Sequence, residues 1–333
     1  MKAAIITAPG EIDITTVQDP TPGPGQVVVE VTACGLCGTD LHILQGEFAP
    51  SLPVIPGHEF AGVVAAVGPG DTHGLAEGDR VAVDPSLYCH ECHYCRIGHE
   101  NLCLRWGAIG VTTAGGAAQY VAVPAANCVR LPESVATADA TLIEPLSCAV
   151  RGYDVLRSQL GAHVLIYGAG TMGLMMLELA KRTGAVGVDM VDVNAERLTV
   201  ARELGVTSTA TSADELDPPP FGWELVVDAT GNERAIQDGV GRVGPGGTFL
   251  QFGVADYAAR VTIDPYRIYN KEITITGSMA VLHSYERAAE LFAAGVLDPK
   301  VFITDRLPLG AYAEAIGRFR SGAGLKVQVL PTA

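Results

Sequence analysis

The chain has 333 residues, of which 48% are hydrophobic and 18% charged, and its formal net charge is −15. That length allows one large domain or two ordinary ones, and the acidic balance excludes nucleic acid and anionic membrane surfaces as partners, since both need Lys and Arg. No apolar run approaches the ~20 residues that span a bilayer, and the opening Met-Lys-Ala-Ala-Ile-Ile-Thr soon reaches Glu11 and Asp13, so no signal peptide and a cytoplasmic location are expected.

The first thirty residues read as β-rich. Ile12-Asp-Ile-Thr-Thr-Val alternates, Gln26-Val-Val-Val-Glu-Val is a short apolar run, and Pro20-Thr-Pro-Gly-Pro-Gly is a stiff turn between them. The next stretch gathers chemistry: Cys34-Gly-Leu-Cys37-Gly-Thr39-Asp40-Leu-His42, then Gly57-His58-Glu59-Phe60-Ala61-Gly62. Zinc that does chemistry takes donors such as Cys and His, at times a carboxylate, and keeps one position open. Cys37, His58 and a carboxylate supply that set. Short apolar runs to Val83, punctuated by Gly and Pro, suggest a small β-barrel or sandwich.

Cys89, Cys92, Cys95 and Cys103 follow at the spacing Cys-x2-Cys-x2-Cys-x7-Cys. Four thiolates so placed close a tetrahedron around one zinc ion with no open position, a structural site; a four-cysteine iron–sulfur cluster is the competing reading. His90, His93 and His99 read as exposed loop residues. Strand character returns near Tyr120. Leu142-Ile-Glu144-Pro-Leu-Ser-Cys148 then opens a helix with Pro145 in its first turn. Glu144 is either a charge at that helix N-terminus or a functional acid. Cys128 and Cys148 read as core residues.

At His163 the pattern changes to strand, turn, helix, strand. His163-Val-Leu-Ile-Tyr leads into Gly168-Ala-Gly170-Thr171-Met172-Gly173, a helix runs to Arg182, and Val186 to Asp192 is a second strand. This is a dinucleotide-binding fingerprint in its required context: the first Gly turns, the second admits a pyrophosphate, and the third lets helix pack on strand. Asp192 accepts hydrogen bonds from ribose hydroxyls and repels a 2′-phosphate, which favours NAD over NADP, while Arg197 can serve a 2′-phosphate or stack on adenine. Strands at Leu225–Asp228, Gly247–Gly253 and Glu272–Met279 read as the second half of a doubly wound parallel sheet. A helix from Ser284 closes at Gly295, and the last strand, Lys326-Val-Gln-Val-Leu, returns to the first domain. The expected domains are therefore 1–150 with 296–333, and 151–295.

Taken together, the Cys37–His42 and Gly57–Gly62 motifs, the four-cysteine lobe, Glu144-Pro-Leu and the Gly168 fingerprint resemble, over essentially the whole length, a zinc-containing medium-chain dehydrogenase of the alcohol dehydrogenase superfamily. Glu144-Pro-Leu-Ser is similar to its polyol and threonine branches, and Ser147-Cys148-Ala149-Val150 to the polyol side. The resemblance implies an α/β chain with a GroES-like, β-rich catalytic domain and a Rossmann domain. It implies catalytic zinc on Cys37 and His58, with Glu59 and Glu144 completing the site, one directly and the other directly or through water. Asp40 would hold the His58 ring, and Cys34 would only pack. A substrate alcohol would lose its proton through Thr39, the nicotinamide ribose and His42, and its hydride to the nicotinamide. Dinucleotide contacts are expected at Gly168, Gly170, Thr171, Met172, Gly173, Asp192 and Arg197, and from the second half at Thr230, Phe252, Gly253 and Ser278. Phe48, Trp106 and Ile109 are candidates for pocket lining or core. Ile43 stands where sorbitol-type enzymes often carry an aromatic residue. The strand at Glu272–Met279 implies homodimers or homotetramers. The expected activity is NAD-linked oxidation of a polyol, sugar alcohol or cyclitol. Threonine, amino-cyclitol or sugar oxidation, or a non-catalytic zinc and nucleotide binder, are the rivals.

Overall fold

A computed structural model of the chain describes residues 1–47, 52–156 and 160–332. Two compact units emerge: Met1–Ser147 with Val281–Ala333, and Cys148–Ala280.

The first unit is built on a seven-stranded sheet. Its strands run in the order Ile303–Pro308, Lys326–Leu330, Gln26–Gly35, Glu59–Val67, Arg80–Val83 and Cys128–Arg130, and Tyr120–Pro124 also pairs with Gln26–Gly35. Alternation along the strands sends Val27, Val29, Val31, Val81, Val83, Val121 and Val123 inward, with Phe60 and Tyr312. Each such buried side chain contributes roughly 1.5–3 kcal/mol, so the sheet is a firm base for what its strand ends carry. The chain returns to this unit at Val281, earlier than the 296 read from sequence. The cause is packing: Val281, Leu282 and Tyr285 are buried, the helix Tyr285–Ala293 lies against the turn Thr137–Leu142, and the Tyr88 hydroxyl donates to the Val281 carbonyl at 2.8 Å.

The second unit is a parallel six-stranded sheet. Its order is Ser208–Ala210, Gly187–Val191, His163–Tyr167, Trp223–Asp228, Val243–Gln251 and Thr274–Gly277. The chain thus starts in the middle, moves outward one way, then restarts and moves outward the other way, which is the arrangement of two mononucleotide-binding halves. Helices Thr171–Arg182, Ala195–Glu203 and Glu233–Arg242 make the crossovers. No helix among the described residues is long and apolar enough to cross a membrane.

Candidate active site and metal centres

The stretch after Gly35 is a helix, Gly38–Leu44, which the sequence pattern did not reveal. Gly, Thr and Asp are poor interior helix residues, and here they occupy its first turn. Asp40 folds back so that Oδ2 accepts the Cys37 backbone N–H at 2.8 Å, which fixes Cys37 as the N-cap. The Cys37 sulfur lies 3.7 Å from Thr39 Oγ1. His42 sits three residues beyond Thr39, on the same helix face, with Nδ1 2.5 Å from Glu47 Oε2.

His58 and Glu59 arrive at the start of the strand Glu59–Val67. The preceding Gly57 has φ +93°, and a Cβ there would stand 2.5 Å from Cys34 Sγ, so only glycine makes this turn at low strain. Cys34 is fully buried beneath it and its thiol pKa is pushed up by burial, consistent with packing. Ligand atoms of Cys37, His58 and Glu59 fall within 4.8 Å of one another. Glu144, in the first turn of the helix Ile143–Leu156, is buried but outside that set.

Charge is concentrated in this cluster. Burial alone would lower the His58 pKa, yet Cys37, Glu144 and Asp40 raise it well above the usual histidine range. Burial raises the Asp40 carboxyl, against the opposing pull of His58 and the Cys37 N–H. His58 Nδ1 and Asp40 Oδ1 are buried without a hydrogen-bond partner, so the expected Asp40–His58 hydrogen bond is not made, and their coupling is one of charge. A thiol, an imidazole and a carboxylate converging in this way fit a zinc ion, and three protein donors leave one of its four positions open.

The sequence missed one member. Lys326 is buried, and its Nζ reaches Glu59 Oε1 at 2.7 Å and Oε2 at 2.6 Å. The only available signal was a lone charge heading an apolar strand.

The four cysteines form the second centre. Their sulfurs lie 3.6 Å (Cys92–Cys95), 3.9 Å (Cys89–Cys95) and 4.0 Å (Cys92–Cys103) apart. Metal–sulfur bonds of about 2.3 Å give a tetrahedron edge of about 3.8 Å. In a four-iron cluster each sulfur binds a different iron and the sulfurs stand farther apart, so one zinc ion fits. Backbone N–H groups of Cys89, Cys92 and Arg105 donate to these sulfurs at 3.3–3.4 Å. The Cys89 thiol is lowered to about 6 despite burial, by the Cys92 N–H and the neighbouring thiols, while burial and the other sulfurs push Cys95 up to about 12. Crowded sulfurs cannot all ionise without a cation between them. His90, His93 and His99 are not in the donor set.

In the second unit, Gly168 has φ +100°, and a Cβ on Gly173 would stand 1.8 Å from the Gly168 carbonyl oxygen. Gly170 caps the helix that Thr171 and Met172 open, and faces open space up to Arg197, as a pyrophosphate cradle requires. Asp192 accepts the Ala169 and Asn194 N–H groups at 2.7 Å each, which ties the second strand end to the glycine turn. Asp228, also missed from sequence, organises the other half. Its carboxylate accepts from Thr230 Oγ1 at 2.5 Å and from Gly231 N–H at 2.9 Å, and its carbonyl from Phe252 and Gly253 N–H. Ser278 donates its N–H to Gln251, and its hydroxyl is buried without a partner. Of the pocket candidates, Ile109 and Ile43 are core, Trp106 packs half-buried against that core, and Phe48 lies outside the described residues.

Fold and site define a two-domain, zinc- and nicotinamide-dependent dehydrogenase. Residues 23–133 match the alcohol dehydrogenase GroES-like domain, and residues 171–294 match the zinc-binding dehydrogenase domain. D-arabinitol dehydrogenase 1 of Uromyces fabae is 35% identical over 99% of this chain and 97% of its own length. Sorbitol dehydrogenase of Rattus norvegicus is 30% identical over 98% and 94%. A zinc-binding dehydrogenase structure from Sinorhizobium meliloti 1021, bound to NADP, superposes with a TM-score of 0.95 at 32% identity, covering 99% of both chains. The chain belongs to the zinc-binding dehydrogenases with an alcohol dehydrogenase GroES-like domain, and it is an oxidoreductase.

Proposed function

We propose that the enzyme oxidises a secondary alcohol of a polyol, sugar alcohol or cyclitol with NAD as hydride acceptor. The observation that carries this is the convergence of half-buried Cys37 with buried His58 and Glu59, with the Thr39 hydroxyl beside it. Relatives named for D-arabinitol, D-altritol and sorbitol support the substrate class. Cys37, His58 and Glu59 hold the catalytic zinc, and Glu144, outside the 4.8 Å set, acts from a greater distance. Zinc bound there supplies Lewis acidity that makes a substrate hydroxyl easier to ionise. Thr39 relays the released proton, taking it at Oγ1 as its own hydroxyl proton passes on toward His42. His42, one helical turn on and partly exposed, passes it outward, and Glu47 orients its ring. Cys89, Cys92, Cys95 and Cys103 hold a structural zinc.

The glycine turn binds the pyrophosphate, Asp192 the adenosine ribose, and Thr230, Phe252, Gly253 and Ser278 the nicotinamide half. A cytoplasmic location is supported by eight free cysteines. The chain assembles as a dimer or tetramer. The strand Thr274–Gly277 ends its sheet, and Tyr257, Ile263, Tyr266, Tyr269, Ile275 and Met279 leave large apolar side chains exposed along that region, as a paired edge requires.

The test is absorbance at 340 nm with NAD⁺ or NADP⁺ and a panel of polyols, cyclitols, secondary alcohols and L-threonine. NADH formation with a polyol is the expected result. Turnover with L-threonine alone moves the enzyme to the threonine branch. Two bound zincs with no turnover on any alcohol favour a non-catalytic relative. Preference for NADP⁺ shows that Arg197 outweighs Asp192.

A further inference from the structure

We propose that Lys326 is the positioning residue for the Glu59 donor, fixing both carboxylate oxygens beside Cys37 and His58 and drawing off part of their charge, so that the cation held there remains a strong Lewis acid. This rests on the reading of Cys37, His58 and Glu59 as metal donors.

The two side chains are almost sealed from solvent, at 3% exposure for Lys326 and 1% for Glu59. The ammonium group uses all three of its protons: two on the Glu59 oxygens at 2.7 and 2.6 Å, one on the Leu36 carbonyl at 3.0 Å. Sheet register produces the contact. Gly35 stands opposite Glu59 on one neighbouring strand and opposite Gln328 on the other, and Lys326, two residues before Gln328 on the same face of its strand, reaches Glu59 diagonally across Gly35. Space for the carboxylate is reserved, because a Cβ on Gly35 would lie 2.4 Å from Glu59 Oε2.

A buried ion pair is a poor stabiliser compared with an apolar pair of the same size, so a lysine heading Val-Gln-Val-Leu calls for another role. Each carboxylate oxygen has two acceptor directions. Glu59 can therefore face the ammonium and a cation together. A carboxylate shared in this way donates less electron density to the cation. Without the positive charge, Glu59 becomes a stronger donor, and either oxygen is free to turn toward the metal.

The experiment compares the zinc-loaded and cobalt-substituted protein with Lys326→Gln, which keeps N–H donors and removes the charge, and with Lys326→Arg. Competition against a chelator, with the four-cysteine centre as internal reference, reads affinity, and the visible cobalt bands read the donor set. Lys326→Gln is expected to hold the catalytic metal at least about tenfold more tightly, since a unit charge a few ångströms away is removed. Its cobalt bands should shift and its kcat fall by a similar factor, with Arg restoring all three. Unchanged or weaker binding with unchanged bands in Lys326→Gln overturns the proposal. Gly35→Ala, which leaves Lys326 in place and presses on Glu59, guards against a Gln variant that fails to fold; unmoved cobalt bands there also overturn it. If Cys37→Ser loses no cobalt, the donor-set reading itself fails, independently of Lys326.

Discussion

In the lobe from Cys89 to Cys103, one short stretch of chain carries the whole donor set, and backbone N–H groups steady its sulfurs. Around Cys37, the candidate donors come from a helix N-cap and from the start of a strand, and side chains steady them: Asp40 on the Cys37 N–H, Lys326 on Glu59. Four like donors close one centre, whereas mixed donors with a buried counter-charge leave the other able to take a substrate. A site that only holds shape can be local, because it needs its ligands and little else. A site that must bind, ionise and release recruits neighbours that set charge.

The sharpest way to break this contrast is to remove one ligand from each centre. Cys37→Ser is expected to lower kcat/KM by at least about 10²-fold, since even the outer-shell partners of a metal are worth roughly 10- to 100-fold. Its circular dichroism and NAD⁺ affinity should stay close to the parent's. Cys95→Ser should do the reverse, losing one zinc and lowering the melting temperature by about 10 °C, as loss of a metal that organises its own lobe implies. Its residual folded fraction should still turn over. Equal effects of the two substitutions on stability and on turnover would end the division of labour.

Metal removal sharpens the same point. Dialysis against a chelator should first give a protein with one zinc and no activity, recovering on zinc addition, because the open centre has fewer sulfur donors. Metal content measured alongside activity checks the order. A protein that keeps activity while losing its first zinc would reverse the assignment of the two centres.

The same contrast explains what the sequence made legible. Cys89 to Cys103 and Gly168 to Gly173 are local patterns whose spacing is their geometry, so both could be read directly. The donors Cys37, His58 and Glu59 were readable as residue types, but their convergence depends on the pairing of Gly35 with Glu59, which no local pattern states. Lys326 and Asp228 were invisible for a related reason. Each looks like a stray charge at a strand end, and its partners are fixed only when the sheet forms. The helix Gly38–Leu44 was hidden because its weak helix formers are held there by a cap and by packing. The early return at Val281 was hidden because the helix from Tyr285 belongs by packing, and not by periodicity, to the first unit.

The smallest expected effect lies at the outer end of the proposed proton path. His42 and Glu47 are both partly exposed, and pairs of that kind are worth about 0.2–1 kcal/mol. Glu47→Gln should therefore slow turnover by no more than about fivefold, while leaving zinc content, melting temperature and NAD⁺ affinity unchanged. His42→Ala removes the shuttle itself and should cost more, with partial rescue by added imidazole, because a diffusing base can take the proton that the side chain would have carried. Imidazole rescue in His42→Ala together with a mild defect in Glu47→Gln would place the proton outlet on the exposed face of this helix. A Glu47→Gln variant as impaired as His42→Ala would mean that the ion pair holds the helix in shape. No rescue in His42→Ala would mean that the proton leaves by another route, so the path beyond Thr39 would have to be redrawn without touching the metal assignment.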